Sequence, residues 1–553
     1  MALRQYDAVL AHSGSASATA PIPVDIRRFP WTSPLAADYA FAYHKLATFY
    51  AGNPADDAAW RDAAARATAH PRDRAAVAAI VTAQQARRGS PAAARVAAAR
   101  LAEPGSVAVV TGQQACLFGG PLFALFKALG ALQMAREVEA RGTPAVAVLW
   151  VHGEDHDWDE VRRCPVLDAD ATLADVGLDA RETGAVAGVR LDDSITAVLD
   201  ALRGALPPTE FSDTVFDALR AAYRPGAGMA DAFARWIEFV LGPRGLVVYD
   251  GADPAAKPIV ADALAREAAY GDAARLAAEA GARLEAAGYH AQVTPPPGAI
   301  ALFALDGGRL PIRRDGDGFL VGARRETADA LRAAVRDAPE RFSPSALLRP
   351  LVQDTLFPTV CYVGGPAEVA YLGQLRGVYE AFGVPMPLVA PRPSATLLDS
   401  GAMRFLSRQA LPFEALRAQD DKALNQLIEA RLPPEVDAAV ASAATAIAER
   451  MGAMAAAVTA VDPTLEGAAR ATAGRMQDDL KKLQHKIIQA VKRKDDTLRR
   501  QFGRAQGQAF PGGQPQERAA GFVGFLNLHG PALVDRLDAE LGSAPGTHWI
   551  LHT

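Results

Sequence analysis

The chain is 553 residues long, 50% hydrophobic and 22% charged, and carries a formal net charge of −5. That composition supplies core for about two to four soluble domains, gives no global case for nucleic-acid binding, and contains no apolar run near the roughly 20 residues of a membrane span. Cys116, Cys164 and Cys361, with no Cys-x-x-Cys spacing, make neither a disulfide framework nor a zinc site. Residues 1–26 hold Asp7 and Asp25 without the apolar core of a secretory signal, so a cytoplasmic location is expected.

Residues 41–102 are helical by composition, with breaks at Asn53-Pro54, His70-Pro71 and Ser90-Pro91 where proline starts or ends a helix. The most informative stretch follows. An apolar run at 107–110 leads into Thr111-Gly112-Gln113-Gln114-Ala115-Cys116-Leu117-Phe118-Gly119-Gly120-Pro121 and an apolar-periodic segment to about residue 141. A second apolar run, 145–151, then reaches Gly153-Glu154-Asp155-His156-Asp157. This is a βαβ unit of a parallel sheet, and such sheets gather ligands at the carboxyl ends of their strands.

Gly112, Gly119 and Gly120 allow backbone to approach a ligand closely, and the helix start after Pro121 offers free N–H groups to an anion. The spacing matches neither common phosphate-binding glycine motif, so an ordinary tight turn stays open beside the anion cradle. In Glu154-Asp155-His156-Asp157, three carboxylates and an imidazole fall within four residues. That suits acid–base catalysis or a divalent cation; the alternative is a solvated acidic turn capping the next helix. Cys116 reads as a small buried thiol.

Residues 166–198 show no helix-length pattern, and 209–242 read as helices. The run 245–250 is a buried strand ending in Asp250, open to rejoining the main sheet. Two amphipathic segments follow to residue 288. Strands near 299–305 and 310–312 flank Asp306-Gly307-Gly308, a hairpin signal, with a third strand near 319–321.

Core character returns at 347–394. A strand at 360–363 meets Gly364-Gly365-Pro366, and the helix after it carries Glu368, Tyr371 and Gln374 as a polar stripe able to face a ligand. A further strand, 386–390, ends in Pro391-Arg392-Pro393-Ser394. Arg392 there suits a carboxylate or phosphate clamp; a structural ion pair with Glu368 is the alternative. Beyond 411 the pattern switches to long helices: apolar residues repeat at three and four from Val436 to Val458, break at Asp462-Pro463, and resume from Met476 to Leu498. This predicts an antiparallel coiled coil. Its basic stretch 481–500 reads as a solvated face.

Four blocks in order along the chain carry a resemblance to a known family. They are the Thr111–Pro121 loop with Glu154-Asp155-His156-Asp157, Leu348-Arg349-Pro350-Leu351-Val352-Gln353-Asp354-Thr355, the stretch from Tyr362 to Tyr371, and Pro511-Gly512-Gly513-Gln514-Pro515-Gln516-Glu517-Arg518. With these the chain resembles the BshC family, the cysteine ligases of the last step of bacillithiol biosynthesis. The resemblance implies an α/β fold: a Rossmann-like parallel sheet core of the class I synthetase or nucleotidyltransferase kind, with inserted connecting subdomains and a long antiparallel coiled coil that forms a homodimer. The corresponding divisions are 1–165 and 341–410 for the core, 166–340 for the insertion, 411–506 for the coiled coil and 507–553 for a tail folding back on the core.

The implied reaction joins the carboxyl of cysteine to the amine of glucosaminyl-malate, with ATP as activator and Mg²⁺ beside it. Gly112, Gln113, Gln114, Gly119 and Gly120 would cradle the nucleotide. Glu154, Asp155 and His156 would position or deprotonate the amine, and Asp157 would orient His156 or hold Mg²⁺. Gly364, Gly365, Glu368, Tyr371, Gln374, Arg392 and Ser394 would read the substrates. No protein metal site is assigned, and no nucleic-acid or membrane partner is expected. His152 departs from the family pattern, where a small residue is usual, and is not taken as a ligand. A nucleotide-binding coiled-coil scaffold without ligase activity, or a ligase or transferase for a different low-molecular-weight thiol, are the competing readings. The reading requires the strand ends after Val110, Val151, Val363 and Ala390 to open into one crevice.

Overall fold

The computed structural model describes residues 20–179, 184–430, 434–494, 496–542 and 544–553. Its contacts divide into two units, one of residues 20–397 with Gln516–Leu551, the other of Leu398–Pro515 with His552–Thr553.

The first unit is built on a parallel sheet of β1 (Val107–Gln113), β2 (Ala145–Val151), β3 (Val247–Asp250), β4 (Thr359–Gly364) and β5 (Leu388–Pro391), in the order β5-β4-β1-β2-β3. Val110 pairs with Val148 and Tyr362, Val151 with Asp250, and Val363 with Ala390, so the strands end along one edge. β1 and β2 are buried throughout. Strands covered on both faces carry no polar alternation, which is why they read as unbroken apolar runs. The 245–250 run does rejoin the sheet, as the edge strand β3.

Helix α1 (Leu122–Ala140) makes the crossover from β1 to β2. It is buried almost all round, so Lys127 and Gln133 within it are polar groups that must find partners inside the fold. Helix α2 (Arg349–Leu356) leads into β4, and α3 (Pro366–Leu372) leaves it.

Between β3 and β4 lies an antiparallel sheet of Arg324–Thr327, Gly318–Val321, Arg309–Asp315, Ala299–Leu305 and Phe342–Pro344, in that order. The hairpin falls at Asp306-Gly307-Gly308, with Gly307 at φ +63°. Strands 324–327 and 342–344 escape a pattern reading because one is mostly exposed arginine and glutamate and the other is three residues long. Residues 516–551 pack in this unit too: the Gln516 amide bonds both backbone groups of Leu397, at 2.8 and 2.7 Å.

The second unit holds the coiled coil of α4 (Pro434–Thr459) and α5 (Leu465–Lys494). Asp462 tightens the turn by accepting from the Thr464 N–H and hydroxyl, both at 2.8 Å. Gln477 donates to the Ala444 carbonyl at 2.8 Å, as antiparallel pairing about that turn requires. No helix among the described residues is long and apolar enough to cross a membrane.

Candidate functional site

The ends of β1, β2, β4 and β5 open into one crevice of about 370 Å³ within the first unit. β1 brings Gly112, Gln113 and the following Gln114. The loop after β2 brings His152, Glu154 and Asp155, with Glu160 just beyond. α3 brings Glu368 and Tyr371 behind Gly365, and β5 hands over Arg392. Lys127 of α1, Arg309 of the antiparallel sheet, Arg349 of α2 and Arg518 complete the charged lining.

The strand order polarises the crevice. The β2 side is acidic. Glu154 is paired with the buried Lys257, which also donates to the Phe342 carbonyl at 2.7 Å; burial pushes the Glu154 carboxyl up against the pull of Lys257. Asp155 accepts from Gln114 Nε2 at 2.8 Å and lies 3.7 Å from Arg309. Burial, then the neighbouring Asp157 and Asp155, raise Glu160 above the ordinary carboxylate range.

The β4 and β5 side is basic. Lys127 forms a 2.7 Å ion pair with Glu368, which also accepts from the Tyr362 hydroxyl at 2.6 Å and from the Gly365 N–H at 2.8 Å. Burial alone would raise Glu368, but Lys127 and these hydrogen bonds outweigh it and hold the carboxyl below its usual range. Arg349 donates to Gln353 at 2.8 Å and to the Tyr371 hydroxyl at 3.0 Å, and no carboxylate pairs with it among the described residues. Its charge therefore stands ready for an anion.

Several expected site residues sit elsewhere. Gly119 and Gly120 do not line the crevice: a Cβ on Gly119 would lie 2.3 Å from the Phe522 ring, and one on Gly120 would lie 2.8 Å from Cys116 Cβ. They make room for packing, not for an anion. Asp157 caps the short helix Trp158–Val161 by accepting from the Glu160 N–H at 3.1 Å, so it does not orient His156. His156 lies outside the crevice lining with its side chain 54% exposed, and its Nδ1 is 3.1 Å from Arg309 Nη1.

Gln374 is fully buried and bridges Ala277 and Val293, outside the crevice lining. Gly364 ends β4 tight against Glu368, where a Cβ would lie 3.0 Å from that of the glutamate. Ser394 binds Glu517 at 3.0 Å and His548 at 2.7 Å behind the crevice. Arg392 does form an ion pair, with Glu517 and not Glu368.

Lys127, His152, Glu160, Arg309 and Arg349 are lining residues that the sequence reading left without roles. Lys127 had a signal, a lone lysine in an otherwise apolar helix face. Arg349 and Arg518 lie in the 348–355 and 511–518 blocks that carry the family resemblance. Cys116, Cys164 and Cys361 are buried and unpaired, as a core reading of them requires.

This arrangement defines a Rossmann-like α/β protein with a polarised crevice at the carboxyl edge of its sheet, joined in one chain to a helical coiled coil. Residues 22–393 match the family model described as Bacillithiol biosynthesis BshC, N-terminal Rossmann-like domain. Residues 395–553 match that of the BshC C-terminal coiled-coil domain. The chain belongs to the BshC family. A Salinibacter ruber relative is 34% identical over 537 residues, covering 96% of this chain and 97% of its own. A Koribacter versatilis relative is 35% identical over 445 residues (80% and 83%), and one from Chlorobaculum tepidum 33% over 477 (82% and 84%). Each of these relatives bears the name "Putative cysteine ligase BshC".

Proposed function

We propose that the crevice is the active site of a ligase that joins the carboxyl of L-cysteine to the amine of glucosaminyl-malate, forming the amide of bacillithiol. The observation that carries this is the polarity of the lining: Glu154, Asp155 and Glu160 on the β2 side, Arg349 and Arg392 on the β4 and β5 side. An amino acid and an amino-sugar malate each present an amine and a carboxylate, so a crevice with an acidic and a basic flank orients both. The amine attacks only when neutral. Asp155, fixed by Gln114, would accept its proton, and Arg349, which pairs with no carboxylate among the described residues, would hold a carboxylate.

Amide formation from a free carboxylate is uphill in water, and ATP, when bound, supplies the activation. Arg518, exposed at the crevice, suits a phosphate, so the residues fit an anionic nucleotide. Mg²⁺ fits less well. No group of three or more His, Cys, Asp or Glu is arranged to hold a metal among the described residues, and Asp157 is occupied as a cap.

We read the coiled coil as the homodimer contact; Met454, Met476 and Leu483, 52%, 42% and 53% exposed there, offer apolar surface to it. Three unpaired thiols suit a reducing cytoplasm. The test is mass spectrometry of purified full-length protein with cysteine, glucosaminyl-malate, ATP and Mg²⁺. Bacillithiol should form, and Asp155→Asn should slow it by about 10²–10⁴-fold. An active preparation of the two upstream substrates that yields no amide, in vitro or in a bacillithiol-deficient strain carrying this gene, overturns the reading.

A further inference from the structure

Gly112, expected to cradle an anion, has a different role. A Cβ at that position would lie 2.4 Å from His152 Nε2 and 2.9 Å from the Tyr362 hydroxyl. The missing side chain is thus filled by an imidazole. His152 follows β2, and its backbone N–H donates to the Gln113 carbonyl at 2.9 Å, which fixes the residue beside the tip of β1. The residue lines the crevice, yet Nε2 has no hydrogen-bond partner among the described residues and no contact with solvent.

Gln114 supplies a second such atom. Its amide nitrogen is held by Asp155 at 2.8 Å, and its Oε1 is buried and unpartnered. A buried polar atom without a partner is unfavourable until something supplies one. Both atoms belong to the same crevice lining, and both stand next to groups of opposite kinds: Asp155 beyond Gln114, Arg349 and Lys127 around His152. Burial, then the charges of Arg349 and Lys127, keep the imidazole uncharged. A neutral ring offers one donor and one acceptor nitrogen, and Gln114 Oε1 only accepts. With Nε2 as the acceptor nitrogen, their natural complement is a ligand edge bearing hydroxyl and amine groups.

We propose that His152 and Gln114 form the subsite for the hydroxyl- and amine-bearing ring of the amino-sugar substrate, each side chain turning toward the crevice on binding so that His152 Nε2 and Gln114 Oε1 gain from it the hydrogen bonds they lack in the free protein. This rests on the ligase reading and refines it: the sugar lies over the β1 and β2 tips, its amine next to Asp155, and its malate carboxylates toward Arg349. Gly112 serves the subsite indirectly, as a positioning residue that leaves room for the imidazole.

The test is calorimetric titration of the full-length protein with glucosaminyl-malate and, separately, with malate, which lacks the sugar. His152→Phe keeps the ring and removes its nitrogens; Gln114→Leu removes the acceptor. Each should weaken glucosaminyl-malate about tenfold or more, the size of one lost hydrogen bond to a buried partner, and leave malate affinity and the melting temperature near wild type. His152→Asn, which restores polar atoms, should recover part of the loss. Gly112→Ala should reproduce the His152→Phe defect by crowding the ring. Variants that bind glucosaminyl-malate as wild type does, or that weaken both ligands alike, overturn the subsite while the ligase reading stands. A wild-type protein that binds malate but shows no gain from the sugar also overturns the subsite, and one that binds neither removes the ligase reading with it.

Discussion

Arg392 and Glu517, 125 positions apart, face each other through two hydrogen bonds of 2.7 and 3.0 Å with side chains only 4% and 8% exposed. The guanidinium also donates to the Pro393 carbonyl at 2.8 Å. A residue that lines the crevice is therefore aimed by a carboxylate from the tail. Removing one partner of a buried pair leaves an uncompensated charge and costs about 3–5 kcal/mol. Glu517→Ala should lower the thermal midpoint by several degrees and weaken malate binding. A midpoint equal to wild type would show that the pair does not hold Arg392.

The same cluster makes stability depend on pH. His548 Nδ1 meets Ser394 at 2.7 Å and Nε2 meets Thr396 at 2.9 Å. Burial, only partly opposed by Glu517, pushes its pKa down to about 4 from an ordinary 6.5. The folded state then binds fewer protons than the unfolded state between those values. The stabilisation is complete above about 6.5 and is lost as pH falls toward about 4, at most about 3 kcal/mol for a shift of this size. Urea midpoints at pH 7 and pH 4.5 should differ less for His548→Gln than for wild type; equal differences would contradict the assignment.

Gly119 has φ +93°, and a Cβ there meets the Phe522 ring at 2.3 Å and Trp236 Nε1 at 2.8 Å. Left-handed backbone costs a non-glycine residue about 1–2 kcal/mol and overpacking about 1–3 kcal/mol. Gly119→Ala should lose about 2–4 kcal/mol in chemical denaturation while the folded fraction binds ligand normally. Loss of binding without loss of stability would return Gly119 to the site.

The three thiols give a labelling prediction. Burial pushes Cys116 up to about 12 and raises Cys164 and Cys361 further. At neutral pH none should be a significant thiolate, so the native protein should resist maleimide and the urea-denatured protein should take up three equivalents. Rapid native labelling of Cys116 would reopen a chemical role for the glycine-rich loop.

Arg349 carries the strongest case for a carboxylate anchor. Arg349→Lys keeps the charge but loses the planar fork that bonds Gln353 and Tyr371. Steady-state kinetics should show KM for the carboxylate substrate rising about tenfold or more with a smaller change in kcat. An unchanged KM would place the substrate carboxylates elsewhere.

The sheet was legible because β1, β2 and β4 are buried on both faces, and such strands announce themselves as apolar runs between glycines and acids. The convergence of four strand ends followed from parallel topology. Partner identity was not legible. Gly112 and Gly119 look alike in sequence, yet one leaves room for His152 beside the crevice and the other for Phe522 in the core, a residue some four hundred positions away. Asp157 and Asp155 are separated by one residue, yet one caps a helix and the other holds Gln114. Arg392 lines the crevice, and the alternative reading of it as an ion pair named Glu368, because Glu517, its partner, lies beyond the coiled coil in sequence. The Asp157 cap is local and was among the open readings; Phe522 and Glu517 reach their partners from distant parts of the chain, which periodicity does not encode.

The dependence of Arg392 on Glu517 also orders events in time. During synthesis the strands of the sheet leave the ribosome long before the segment that follows the coiled coil. Until that segment arrives, a cation stands in the nascent crevice with nothing to fix its direction. A polypeptide cut short within the coiled coil would possess the sheet and most of the charged lining, yet its Arg392 would keep only the Pro393 carbonyl as a hydrogen-bond partner among the described residues and would lack the carboxylate that aims it.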